Sequence, residues 1–186
     1  DESANPHHLA IDLLSQAEHD EMASSILITP SLAIAEKTRD EVYAWLENLQ
    51  RKTIAETSIK ERGAIIVTRD MEEAVSLMNQ IAPEHLEVVT SHPFDLLPSI
   101  RHAGAIFMGA YTPEPIGDYI AGPNHTLPTG GTAKFYSPLS VDHFLKRSSI
   151  ISMSKKGIDE IGEACALLAH TEGLGAHEAS VRVRLK

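Results

Sequence analysis

The 186 residues predict an α/β fold: an incomplete doubly wound, Rossmann-like, mostly parallel sheet followed by a small, mainly helical C-terminal tail. Three observations predict it. Short apolar runs of strand length recur between residues 24 and 109. Segments with helical periodicity stand between them, and strands that alternate with helices favour parallel pairing through crossover connections. After Gly109 the alternation stops, so the chain offers four strands, about half of a doubly wound domain.

Asn5-Pro6 opens the first helix, since Asn caps and Pro suits the first helical position. HHLAIDLLSQA continues it, with Leu9, Leu13 and Leu14 on one side. SSILITP (24–30), closed by Pro30, is a buried strand. Ser31 caps a long helix, SLAIAEKTRDEVYAWLENLQ, whose Leu32, Ala35, Val42, Trp45, Leu46 and Leu49 fit an apolar face. GAIIVT (63–68) is the next strand, and Asp70 caps the helix MEEAVSLMNQIA. HLEVVT (85–90) and GAIFMG (104–109) are strands, separated by a short helix that Pro98 interrupts. The segment from Gly109 to Pro138 is dense in Gly, Pro and Thr and reads as a long functional loop. VDHFLKRSS, a strand SIISMS, the helix KKGIDEIGEACALLAHTEG and a last segment, LGAHEASVRVRLK, complete the chain. The expected division is an α/β domain over 1–140 and a helical tail over 141–186.

Composition narrows the function classes. Hydrophobic residues make up 42% and charged residues 23%, as in globular domains with a core. No apolar run approaches membrane-spanning length, and the first residues lack the basic and apolar regions of a secretory signal. No membrane partner is therefore expected. The net charge of −10 is the wrong sign for a phosphate backbone, which argues against a nucleic-acid partner. The single cysteine, Cys165, excludes an intrachain disulfide; its apolar helical setting predicts a small core residue, and a cytoplasmic location fits.

Ten histidines direct attention to metal and proton chemistry. Gln16 and His19, three apart at a helix end, can point at one spot, and an amide oxygen with an imidazole can hold a borderline metal. Such a pair is also an ordinary solvated helix end. Glu84 and His85 stand between a helix and a strand, where an acid beside an imidazole can share acid–base work near neutral pH; a charged loop is the plain alternative. Asp118 and His125 lie in the long loop after GAIFMG, at the end of a sheet where ligands bind in such folds. Asp118 suits a metal ligand and His125 a substrate contact. Glu172 and His177 sit at a helix-to-helix break in the tail. Together these residues form an N/O donor set without thiolates, which suits zinc or a similar divalent ion.

DLLSQAEHD, APEHLE, GAYTPEPIGDYIAGPNHTLPT and HTEGLGAHEASVRVR, in this order, resemble the second half of histidinol dehydrogenase, and the resemblance runs from Asp1 to Lys186. It implies oxidation of L-histidinol to L-histidine in two NAD+-dependent hydride transfers, through an enzyme-held histidinaldehyde, by a homodimer with one Zn2+ per site. By motif, Gln16, His19 and Asp118 resemble zinc ligands, and His177 resembles a fourth that arrives from the partner subunit. Glu84 and His85 resemble the proton-transfer pair. Gln16, His19, His85, Asp118, His125, Glu172 and His177 resemble the substrate contacts. The family's N-terminal half, which binds most of NAD, has no counterpart here, and no GxGxxG follows a strand, so no NAD-binding residue is assigned. The alternative from another class is a non-catalytic metal- or imidazole-binding and dimerisation module.

Overall fold

The computed structural model describes residues 1–185. The elements from Asp1 to Met108 follow the predicted alternation: α1 Pro6–Ala17, β1 Ile26–Thr29, α2 Leu32–Leu46, α3 Lys52–Arg62, β2 Ala64–Val67, α4 Met71–Ile81, β3 His85–Val88, α5 Pro93–Leu96 and β4 Ala105–Met108. Local chemistry accounts for the boundaries. The Asn5 side chain accepts from the His7 amide, with Pro6 in the first turn of α1. The Asp70 carboxylate accepts from the Glu73 amide to start α4. Pro98 does interrupt its helix: α5 passes into a single 3-10 turn, Leu97–Ser99.

Strand pairing is parallel throughout. β1 pairs with β2 in the register Ile26↔Ala64 to Thr29↔Val67, and β3 with β4 in the register His85↔Ala105 to Val88↔Met108. The expected four-stranded sheet appears instead as these two pairs. Among the described residues β1 and β3 are not bonded to each other; Leu27 and Thr29 of β1, and His85 and Glu87 of β3, line one cavity of about 590 Å3.

The core sits where α1 packs on α2 and α3. Ala10, Leu14, Ala17, Val42, Leu46 and Ala55 are buried together there. A smaller cluster of Ala4, Leu9 and Ile34, with Leu27 and Val89 beside it, seats α1 and α2 on the strands. Three expectations are corrected. α3 occupies KTIAETSIKER, a stretch too polar to show a strong apolar stripe; it reaches the core mainly through Ala55. Leu32, assigned to the apolar face of α2, lies outside it, at 59% exposure. The segment after Gly109 is not structureless, since it holds the helix α6 Glu114–Tyr119 and a 3-10 turn, Thr132–Lys134.

The chain divides into two compact units, Asp1–His143 and the residues from Phe144 onward. In the second, SIISMS forms no strand, because nothing among the described residues pairs with it. The helices α7 Lys155–Thr171 and α8 Gly175–Leu185 form a hairpin. Gly162 lets Leu185 approach α7, and Arg182 bonds both Glu163 and Glu178 at 2.8 Å. Cys165 is exposed rather than a core residue. The buried side of α7 is carried by Gly162, Ala166 and Ala169, which turns Cys165 outward.

Leu14 is 1% exposed at the centre of the main core. Leu14→Ala is expected to cost about 2–5 kcal/mol in urea unfolding. Cys165→Ser, on the outer side of α7, is expected to stay within about 0.5 kcal/mol of the parent in the same measurement.

Candidate functional site

The entrance to β3 is held tightly. α4 ends at Ala82, a buried residue in the left-handed region (φ 52). Its amide donates to the Met78 carbonyl, closing the helix. The Gly104 amide then donates to the Pro83 carbonyl at 2.9 Å and the Ala105 amide to the Glu84 carbonyl at 2.8 Å. A Cβ on residue 104 would lie 2.5 Å from that Glu84 oxygen, so only glycine permits the approach. Glu84 and His85 thus leave the clamp with defined directions.

Two residues apart on a strand, His85 and Glu87 share a face. Phe107, across from Glu87 in register, joins them, with its ring centroid 6.1 Å from that of His85. Over this face runs α6. The Glu114 amide, at its start, donates to Glu87 Oε1 at 2.8 Å. Thr112 Oγ1 donates to the Met108 carbonyl at 3.0 Å. Gly117 sits so close to Phe107 that a Cβ there would be 2.5 Å from the ring.

This docking brings His85, Glu114 and Asp118 together, with one ligand atom from each within 4.8 Å of the others. His85 Nε2 is buried without a hydrogen-bond partner and lies 3.6 Å from Glu114 Oε1. Burial pushes the His85 imidazole below its ordinary range; the nearby acids Glu84 and Asp118 oppose this, and His19 and His125 add to it. Burial also drives Glu114 up to about 7, helped by a hydrogen bond and negative charge from Asp118. Glu87 rises to about 7 as well, through burial first and then the charge of Asp12. At neutral pH the imidazole is therefore largely neutral, while the two glutamates are poised between forms.

The other expected residues fall into place unevenly. Gln16, half-buried near the end of α1, lines the same cavity as Glu84, His85, Glu87 and Glu114. His19 is exposed just beyond α1, and His125 is exposed in the loop; both sit near enough to act electrostatically on His85. The loop carrying His19 is tied down at two points, by Ser58 Oγ donating to the Ala23 carbonyl and Arg51 donating to the His19 carbonyl. Glu172, which ends α7, and His177, in the first turn of α8, are exposed and belong to the second unit.

The site differs from the expectation in position. His85 opens β3, so the cluster lies over the face of the β3–β4 pair rather than beyond the carboxyl ends of its strands. The chain turns back after β4 and lays α6 across that face. Three residues escape a reading of the sequence: Glu114, Glu87 and Asp12. Glu114 stands four positions before Asp118, a spacing that puts both carboxylates on one side of a helix. Glu87 stands two positions after His85, which in a strand means the same face.

Raised carboxyl pKa values have a thermodynamic consequence with a definite sign. Between about 4.5 and 7 the folded state holds protons on Glu87 and Glu114 that the unfolded chain has released. Stability contributed by these groups is then present at low pH and lost as pH rises through that window. Glu87→Gln removes one of them. In chelator-treated protein, the melting temperature of Glu87→Gln relative to the parent is expected to rise between pH 5 and pH 8. A relative melting temperature that falls or stays flat contradicts the assignment.

Comparison with known proteins identifies the family. The family model for histidinol dehydrogenase matches residues 1–185. Histidinol dehydrogenase of Sulfurimonas denitrificans is 68% identical over 100% of this chain, and that of Wolinella succinogenes is 67% identical over 100% of it. This chain spans 43% of each of those proteins. The crystal structure of histidinol dehydrogenase from Elizabethkingia anophelis superposes with a TM-score of 0.89 at 39% identity, covering 98% of this chain and 42% of that one. With the partial Rossmann-like arrangement, the acid–imidazole cluster and these matches together, the chain belongs to the histidinol dehydrogenase family.

Proposed function

We propose that this chain carries the metal and substrate site of a zinc-dependent enzyme that oxidises L-histidinol to L-histidine with NAD+, the last steps of histidine biosynthesis. The carrying observation is the convergence of His85, Glu114 and Asp118 beside a cavity that Gln16 and Glu84 line. The donors fit a zinc ion. They are nitrogen and oxygen donors without thiolates; Asp118 is the one that serves as a metal ligand, and the buried His85 nitrogen, with no partner of its own, is left free to take a proton. Gln16, His19 and Asp118 would hold the ion, with His177 supplied by a second copy of the chain in a homodimer. When bound, zinc supplies a Lewis-acidic point that fixes the nitrogens of the substrate.

The remaining chemistry belongs to side chains. His85, kept neutral by burial, accepts the hydroxyl proton as hydride leaves for the nicotinamide. Glu114, 3.6 Å away, faces the imidazolium that results and stabilises it. Glu84 takes a proton from water as that water adds to the aldehyde, so that the hydrate can give the second hydride. His125 and Glu172 orient the substrate, along with His85, Asp118, Gln16, His19 and His177 around the metal. NAD+ is held by residues outside this assignment. No helix among the described residues is long and apolar enough to cross a membrane, and a biosynthetic role supports a cytoplasmic location.

A competing reading keeps the metal site and drops the turnover: a binding and dimerisation module. It is favoured by the chain's spanning only 43% of its relatives. NADH formation from histidinol by the 186-residue protein separates the two; absence of turnover in the chain, with turnover in the full-length enzyme, supports the module reading for this span alone.

Two variants of the full-length enzyme test the assignments. His19→Ala is expected to lose zinc, read by metal analysis after dialysis; unchanged zinc content removes His19 from the ligand set. Glu84→Gln is expected to slow oxidation of histidinaldehyde by about 10²–10⁴-fold, in line with general-base loss, and full-rate aldehyde oxidation removes the water-activating role.

A further inference from the structure

Three elements carry the groups of the proposed site: α1 carries Gln16, β3 carries His85, and α6 carries Glu114 and Asp118. One short connection joins all three. Asp12 stands one turn before Gln16 on α1, so the two share a face. Its carboxyl group is hydrogen-bonded to Glu87, which shares a strand face with His85. Glu87 Oε1 in turn accepts the Glu114 amide at 2.8 Å, at the start of α6. Asp12, Gln16, His85, Glu87 and Glu114 all border the same cavity.

The connection matters because α6 has little else to hold it. It has six residues, and Glu114 alone among them is buried. A helix of that length does not persist by itself in water. Its placement rests on the Glu87 bond at one end, the Gly117–Phe107 contact in the middle and, just before the helix, the Thr112 Oγ1 bond to the Met108 carbonyl. The Gly117 contact limits how close α6 comes to the sheet, but a contact between a backbone and a ring does not set where along β3 the helix begins. The Glu114–Glu87 bond does, and the Asp12 carboxyl lies beside the Glu87 carboxyl at the border of the same cavity.

We infer that Glu87, held by Asp12, is a positioning residue that sets α6 on β3 and so brings Glu114 and Asp118 into place against His85. The proposal rests on the metal-site reading only for its effect on zinc; the placement of α6 is independent of it. Glu87→Gln keeps a carbonyl oxygen for the Glu114 amide and offers its NH2 to the Asp12 carboxylate. Glu87→Leu keeps approximate volume and removes both bonds. Asp12→Leu leaves the Glu87–Glu114 partners present but releases the glutamate.

In the full-length enzyme, two measurements decide. The first is amide hydrogen exchange of residues 110–120 in metal-free protein. The second is zinc affinity by competition with a chromogenic chelator. Glu87→Leu is expected to speed exchange in 110–120 at least about tenfold, with exchange in α4 unchanged, and to weaken zinc by about 10–100-fold, the usual cost of losing a group behind the ligands. Glu87→Gln is expected to match the parent within about twofold in both. Parent-like exchange in Glu87→Leu overturns the proposal, as does a uniform rise across the protein, which would show a general structural role. Should Glu87→Leu fail to fold, Asp12→Leu decides in its place: faster exchange confined to 110–120 supports the proposal and parent-like exchange overturns it. The two readings fail differently. If His19→Ala abolishes zinc binding while Glu87→Leu leaves 110–120 undisturbed, the positioning role is lost and the metal site stands. If Glu87→Leu frees 110–120 but neither variant alters zinc, the metal reading is lost and the positioning role stands.

Discussion

Acid groups withdrawn from water are the constraint around which this molecule is arranged. Desolvation is the largest influence on Glu87, Glu114, Asp12 and His85 alike. A carboxylate that cannot be hydrated must be protonated, hydrogen-bonded or paired with a cation. Ion pairs such as Arg39–Asp40 and Lys60–Glu56 lie on exposed surface, away from these groups. The acids therefore lean on one another and on backbone amides. Such a set is costly as a purely structural device, because an apolar filling of the same volume is often as stable. Its cost is sensible where a proton must move or a cation must be received.

The fold supplies the means of withdrawal. Parallel strands carry alternating faces, so one short strand delivers His85 and Glu87 together, and its neighbour delivers Phe107 across from them. The clamp of Gly104 on Glu84 fixes how β3 begins, and α6 covers the face so formed. The main core lies elsewhere, among α1, α2 and α3. That separation is useful. Rigid packing under α1 holds Gln16, while the cavity beside it is left unfilled and open to a ligand.

How much of this was legible in the residues depends on the kind of signal each element carries. The four strands and the helices α1, α2, α4 and α7 announce themselves by apolar periodicity and by caps such as Asn5 and Asp70. α3 does not, because it meets the core through the small residue Ala55 rather than through a stripe of large ones. α6 hides in a Gly- and Pro-rich stretch, and its stability comes from tertiary anchoring, which no local pattern records. SIISMS shows the reverse error. Its residues suit a strand, but a strand needs a partner, and Ile150 and Ile151 are instead exposed at 95% and 88%. For the site, motif resemblance led to Glu84, His85, Asp118 and Gln16. Glu87 and Asp12 carry no motif of their own; their meaning lies in a hydrogen bond between residues 75 positions apart, which only the folded chain brings together.

The site residues of the first unit fall into two groups by their access to water, and the division bears on how the site is completed. His85, Glu87 and Glu114 are largely shielded, whereas His19 and His125 stand in solvent. A charge or hydrogen bond aimed at a reacting atom counts for far more when water is excluded. Exposed imidazoles thus act weakly on a ligand until something covers them. This chain spans 43% of its relatives' length, so those proteins have abundant material from which such a cover can be drawn. The exposed apolar residues Tyr119 and Ile120, which follow Asp118 directly and are 83% and 82% exposed, are suited to meet it. The shielded acids and the exposed imidazoles thus differ in how strongly each can act within this span: the first are already withdrawn from water and the second are not.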